Sequence, residues 1–225
     1  VTVSPTYARE ILTAYYGEGL EGILATRADD LTGILNGIDV TAFDPASDPF
    51  IPYPYDASSL SQKQKNKKAL IAELGLNLSP EAPLIGMVTR LTRQKGIDLV
   101  LRVFEEIIAA GAGFALIGTG DHAYEHFFRG AAHRTGGRAV GVTEFNDPLA
   151  RRIYAGCDFF LMPSQFEPCG LSQMIALRYG TPPIVRATGG LRDTVFPYNE
   201  YTNEGNGFAF ENYNAHDMLH TIRYA

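Results

Sequence analysis

The chain has 225 residues, 45% of them hydrophobic, a formal net charge of −6 and two cysteines. That is enough apolar material for one sizeable core and a fragment of a second domain, and the acidic balance excludes a nucleic-acid binder that relies on a broad basic surface. No apolar run approaches membrane-spanning length, no signal peptide is visible, and Cys157 and Cys169 give no disulfide framework, so a reducing compartment is the default.

The opening VTVSPTYAREI reads like the middle of a domain: a strand end at residues 1–3, then a helix with Ser4 as cap and Pro5 in its first turn, running to about Tyr16. Gly17, Gly19 and Gly22 break it. A short strand over Leu31 to Leu35 precedes Asn36-Gly37, a dipeptide typical of a type I′ hairpin. Pro45, Pro49, Pro52 and Pro54 make residues 44–57 a linker or an extended arm between domains. Residues 1–43 then read as the remnant of one domain and 58–225 as a second.

Residues 58–74 return to helix, with Lys63, Lys65, Lys67 and Lys68 on a solvated face and Leu70, Ile71 and Leu74 packing. A repeating pattern follows. Strands are expected at Leu84–Thr89, Phe114–Ile117, Arg138–Val142, Phe159–Met162, Ile184-Val185 and Phe208–Phe210. Helices between them are expected at about Asp98–Ala110, Tyr124–His133, up to Ala155, and Gly170–Tyr179, with a last one over 215–224. In the Gly170–Tyr179 helix, Leu171, Met174, Ile175 and Arg178 share the inward face. This alternation predicts an α/β domain, a Rossmann-like parallel sheet with helices on both faces.

The loops after these strands carry the chemistry, since ligands bind at the carboxyl ends of parallel strands. In TRLTRQKG, Arg90 and Lys95 are long cations able to reach one anion, or else a solvated basic loop. In GTGD, Gly118 and Gly120 permit a close turn; Ala123 stands where a dinucleotide fingerprint needs its third glycine, and a structural turn is the stronger reading. In TGGLRD, Gly189 and Gly190 expose amides that suit a phosphate, or form a plain turn. In QFEPCG, Glu167 either faces a ligand or caps the next helix, and Cys169 is a small buried filler. His122, His126, His133, His216 and His220 read as surface or packing residues, so no metal site is assigned. Two cations, a glycine pair, a carboxylate and helix-end amides together fit a nucleotide-sugar donor.

The segments TVSPTYAREI, GLEG, GILNGID, TRLTRQKGIDLVL, LIGTGD, FNDPLARRIYAG, PSQFEPCGLSQM, RYGTPPIVRATGGLRDTV and GNGFAF resemble the bacterial glycogen synthases and plant starch synthases, retaining glucosyltransferases of the GT-B fold. The resemblance covers essentially the whole chain. It implies the C-terminal half of such an enzyme with a stub of the N-terminal domain. It also implies ADP-glucose or UDP-glucose as donor, an α-1,4-glucan as acceptor, no metal or other cofactor, and a cytoplasmic location (a plastid in a plant or alga). In the family, Arg90 and Lys95 would bind the donor's distal phosphates. Glu167 would sit at the glucose, and Cys169, Gly170 and Leu171 would line the sugar site. Asn36 would approach the glucose, overriding the hairpin reading. Gly190 and Leu191 would help hold the phosphate, Phe145 would stack on adenine, and Thr194 would lie near the ribose and phosphate. The second glutamate of the wider E-x7-E pattern is replaced by Ile175, as is usual in this family. The family's lysine-x-glycine-glycine loop and sugar-site histidine belong to the N-terminal domain, so these 225 residues alone are expected to be inactive. A different retaining transferase and a non-catalytic nucleotide- or glucan-binding module are the alternatives.

Overall fold

The computed structural model describes all 225 residues. Two short helices come first, α1 (Pro5–Glu10) and α2 (Glu21–Ala25). Ser4 caps α1 as expected, its Oγ accepting from Tyr7 N–H at 2.9 Å. The helix stops six residues short of Tyr16 because Thr13 takes the Glu10 carbonyl with both its N–H (2.9 Å) and its hydroxyl (2.7 Å), tightening the chain into turns. The strand expected at Leu31–Leu35 is reduced to one parallel bridge between Thr2 and Gly33. No hairpin forms at Asn36-Gly37; the chain there is irregular.

Residues 39–55 run across the outside of the domain that follows, with Asp48, Ile51 and Tyr55 buried. Then come α3 (Ser61–Glu73), β1 (Leu84–Val88), α4 (Ile97–Arg102), α5 (Phe104–Ala109) and β2 (Gly113–Ile117). They are followed by α6 (His122–Arg129), α7 (Ala131–Arg134), β3 (Ala139–Val142), α8 (Asp147–Gly156) and β4 (Phe159–Met162). The chain ends with α9 (Ser172–Arg178), β5 (Pro183–Arg186), α10 (Gly189–Thr194), β6 (Phe208–Phe210) and α11 (Ala215–Tyr224). The helix expected over 98–110 is split at Val103 (φ −123°), and the one over 124–133 at Gly130.

All six strands are parallel, in the order β3-β2-β1-β4-β5-β6. Side chains alternate between faces with the strand period of two. On β2, Phe114 and Leu116 join one core with Phe104, Phe128 and Met218, while Ala115 and Ile117 join the other with Leu70, Ile153, Tyr154 and Tyr179. This is the Rossmann-like sheet with helices on both faces that the periodicity predicts.

Two expectations fail on α3 and α9. Lys67 is not solvated: its ammonium is buried, pairs with Asp158 at 2.7 Å and donates to Ala82 O at 2.8 Å. Lys63 donates to Tyr154 O, Ala155 O and Thr181 Oγ1 at 3.3, 3.0 and 2.6 Å. Both long side chains reach carbonyls at the ends of neighbouring elements, which periodicity alone cannot foresee. On α9 the buried residues are Gln173, Ile175 and Ala176, while Leu171 and Arg178 are exposed.

Candidate functional site

The strand order reverses between β1 and β4. Loops leaving such neighbours diverge to opposite faces and open a crevice above the carboxyl ends of the strands. Here the loop after β1 and the loop after β4 are knitted along that crevice. Gln165 N–H donates to Gln94 O at 2.8 Å. Gly96, at φ +74°, lies so near Pro163 that a Cβ would stand 2.2 Å from its carbonyl oxygen.

Across this seam Lys95 Nζ donates to Glu167 Oε2 at 2.5 Å, and Ser164 Oγ donates to the same oxygen at 3.1 Å. The Lys95 side chain is 16% exposed and that of Glu167 8%, so the pair is shielded from water and coupled more strongly than a surface pair. Glu167 accepts no helix amide, which rules out the capping role. The turn that carries it continues through Cys169, buried, and Gly170, at φ +74°. Buried Gln173 holds the carbonyl side of this turn, its Nε2 donating to Cys169 O at 3.0 Å, Gly170 O at 2.9 Å and Thr194 Oγ1 at 3.0 Å. The amides of Cys169, Gly170 and half-exposed Leu171 have no acceptor within the chain. They are free donors at the start of α9. The sequence reading missed Gln173; its signal was a lone amide side chain just inside a helix that follows a glycine turn.

Beside the seam lies a cavity of about 280 Å³, lined by Arg90, Gly118, Thr119, Phe145, Asn146 and Tyr154 among others. Arg90 is exposed, its guanidinium within 3.4 Å of Gln94 Oε1. Phe145 is 93% exposed, an open apolar platform at the rim. Gly118 and Gly120 serve close approach: a Cβ would stand 1.7 Å from Thr89 O at the first and 2.2 Å from Leu91 O at the second. Their amides donate to Val142 O and Glu125 Oε1, each at 3.0 Å, so they shape the turn instead of offering donors.

The glycine pair after β5 departs from expectation in the same way. Gly189 N–H donates to Glu10 Oε1 at 3.0 Å, Gly190 N–H to Glu167 O at 3.0 Å, and Leu191 N–H to Thr188 O at 3.0 Å. Gly190 and Leu191 therefore have no free amide for a phosphate. Thr194 is also committed, donating to Gly190 O at 2.6 Å while accepting from Gln173, and it ties α10 to α9. Asn36 is exposed and makes no hydrogen bond. The structure thus groups Lys95, Glu167, Cys169, Gly170 and Leu171 around the seam, and Arg90, Gly118 and Phe145 around the cavity, whereas Gly120 packs on Leu91 outside the cavity lining.

The family described as "Glycosyl transferases group 1" matches residues 65–225, and "Starch synthase catalytic domain" matches residues 1–26. A glycogen synthase of Geobacillus thermodenitrificans is 58% identical over 224 residues, covering 100% of this chain and 46% of that protein. One from Geobacillus stearothermophilus is 57% identical with the same coverage. The catalytic domain of starch synthase IV from Arabidopsis thaliana, solved with ADP and acarbose, superposes with a TM-score of 0.92 at 38% identity, over 99% of this chain and 47% of that one. The chain thus spans about half the length of the relatives it matches. Its sheet, its crevice and these similarities agree: the chain belongs to the glycosyl transferases group 1 family, and its sheet domain is a GT-B glycosyltransferase domain.

Proposed function

We propose that this chain is the donor-binding half of a glycogen or starch synthase, which transfers glucose with retention from ADP-glucose to the non-reducing end of an α-1,4-glucan. The observation that carries the reading is the Lys95–Glu167 pair at the strand-order reversal, next to the free amides of Cys169, Gly170 and Leu171. A cation, a carboxylate and oriented amides within one crevice match a donor that is a polyol at one end and a diphosphate at the other. The names of the relatives, and the ADP and acarbose bound by the Arabidopsis protein, support the same substrates.

In this reading Phe145 supports the base over the cavity, and Arg90 and Lys95 offset charge growing on the departing diphosphate. Such preorganised contacts contribute a few kcal/mol each, about 3 for one oxyanion donor. Glu167, holding Lys95, sits at the glucose, and the 169–171 amides meet its hydroxyls. The acceptor's terminal 4-hydroxyl attacks C1 from the face that the diphosphate leaves, and the leaving phosphate takes the acceptor proton. No metal ion or prosthetic group is invoked. A second, N-terminal lobe closes over the site and excludes water. The location assigned is the cytoplasm, or the plastid in a plant or alga.

The test is labelled-glucose incorporation into glycogen by a protein carrying both lobes, with ADP-glucose and UDP-glucose compared. Incorporation from ADP-glucose is expected; no transfer from either donor defeats the reading. Calorimetry on residues 1–225 alone should show weak ADP binding without transfer, because the opposing wall is missing.

A further inference from the structure

Glu10 has no place in the site described so far. It ends α1, ahead of the sheet domain, yet its carboxylate lies at the first turn of α10. Thr188 Oγ1 donates to Glu10 Oε1 at 2.9 Å and Gly189 N–H donates to the same oxygen at 3.0 Å. Four residues earlier on α1, Thr6 grips the other end of α10: its N–H donates to Asp193 Oδ2 at 2.9 Å and its hydroxyl to Asp193 Oδ1 at 2.5 Å. Residues four apart share a helix face, so α1 lies along α10 and holds it at both ends.

The turn that Glu10 holds is packed without slack against the transfer site. Gly190 N–H donates to Glu167 O at 3.0 Å. A Cβ at Gly189 would stand 1.9 Å from that carbonyl oxygen, and one at Gly190 2.0 Å from Cys169 O. A shift of residues 188–190 must therefore move residues 167–169, which carry the carboxylate paired with Lys95 and the uncommitted amides. The helix end that sequence offers to a phosphate is filled by the chain's own carboxylate.

We propose that Glu10 is a positioning residue for glucosyl transfer: through Thr188 and Gly189 it seats the turn on which Glu167 and its pairing with Lys95 depend. The proposal rests on the transferase reading above. Its chemistry is specific, because both donors use Oε1 while Oε2 is buried without a partner. A glutamine keeps an oxygen able to accept both donors, whereas an alanine keeps neither.

The test uses a protein carrying both lobes, as parent, Glu10→Ala, Glu10→Gln, Glu167→Gln and the Glu10→Ala/Glu167→Gln double variant. The readouts are kcat and donor KM with ADP-glucose, and hydrogen exchange of the peptide spanning 186–191. In Glu10→Ala, kcat should fall about 10- to 100-fold, as for a sub-ångström to 1 Å misplacement of reacting groups, with faster exchange at 188–190. Glu10→Gln should recover kcat to within about threefold of the parent. In the Glu167→Gln background, Glu10→Ala should cost little more, because the two changes act on one group. Parent kcat in Glu10→Ala, no recovery in Glu10→Gln, or a full multiplicative loss in the double variant would overturn the proposal. A parent inactive on nucleotide-glucose donors would sink the transferase reading instead; unchanged exchange at 188–190 in Glu10→Ala would then overturn the clamp itself.

Discussion

Lys95 and Glu167 are 72 residues apart in sequence and meet at 2.5 Å, with little of either side chain open to water. Each is the other's compensation for burial. Sequence alone suggests that a lysine in a basic loop can be removed without structural cost; the pairing predicts otherwise. Lys95→Ala leaves Glu167 buried with a single hydroxyl donor, and should cost about 3 kcal/mol of stability as well as most turnover. Adding Glu167→Gln removes the orphaned charge, so the double variant should regain much of that stability in urea melts while staying inactive. A Lys95→Ala protein as stable as its parent would show that the pair does not matter to the fold.

Phe145 has the opposite profile. It is 93% exposed and contributes nothing to the core, so Phe145→Ala should leave the melting temperature unchanged. If the ring supports the donor base, the lost stacking contact of about 1–3 kcal/mol should raise donor KM roughly tenfold with kcat nearly preserved. Steady-state kinetics on the variant decide it; an unchanged KM removes Phe145 from the donor site.

The arm at residues 39–55 is fastened to the sheet domain through Asp48. Its buried carboxylate accepts from the Tyr179 hydroxyl and lies 3.5 Å from Arg151 Nη1, while the Tyr55 hydroxyl donates to Tyr179 O at 2.8 Å. Arg151 also sits 3.9 Å from the centre of the Phe43 ring. Asp48→Ala leaves the buried Tyr179 hydroxyl without its acceptor and Arg151 with Asp147 as its one remaining carboxylate, at a cost of about 2 kcal/mol. Limited proteolysis should then cut within 44–55 well before the sheet domain unfolds. In the parent, cleavage there should await global unfolding; early cleavage in the parent would mean that the arm is not docked.

Lys63 gives a pH signature. Burial lowers its ammonium from the usual lysine range to about 8. Between about pH 8 and 10 the unfolded chain then binds more protons at this residue than the folded one, so stability rises with pH across that window. Relative to Lys63→Met, the parent should gain on the order of 1–3 kcal/mol between pH 7.5 and 10. Matched denaturation curves at the two pH values would show it, and parallel changes in parent and variant would refute it.

The sequence by itself determined the alternation of strands and helices and the loops that bear charge. Buried parallel strands are short apolar runs, and turn glycines mark their ends. The strands at 159–162 and 208–210 and the helix at 215–224 are legible for that reason. The motif segments also carried the family, because residues that meet a ligand recur at fixed spacing within one loop. The tertiary structure decided which polar groups are spent on the protein itself. Gly190 reads as a ligand contact from its position after a strand, and Leu191 and Thr194 from the family resemblance, yet each donates within the chain, and Glu10, some 180 residues away, fills the start of the helix they belong to. Lys63 and Lys67 read as solvent-facing from charge alone, yet both end on carbonyl oxygens of distant segments. A hydrogen bond forms wherever donor and acceptor come within about 3 Å. Local pattern fixes the directions along one element, whereas the partner across a sheet or between lobes is fixed only when the whole chain is packed.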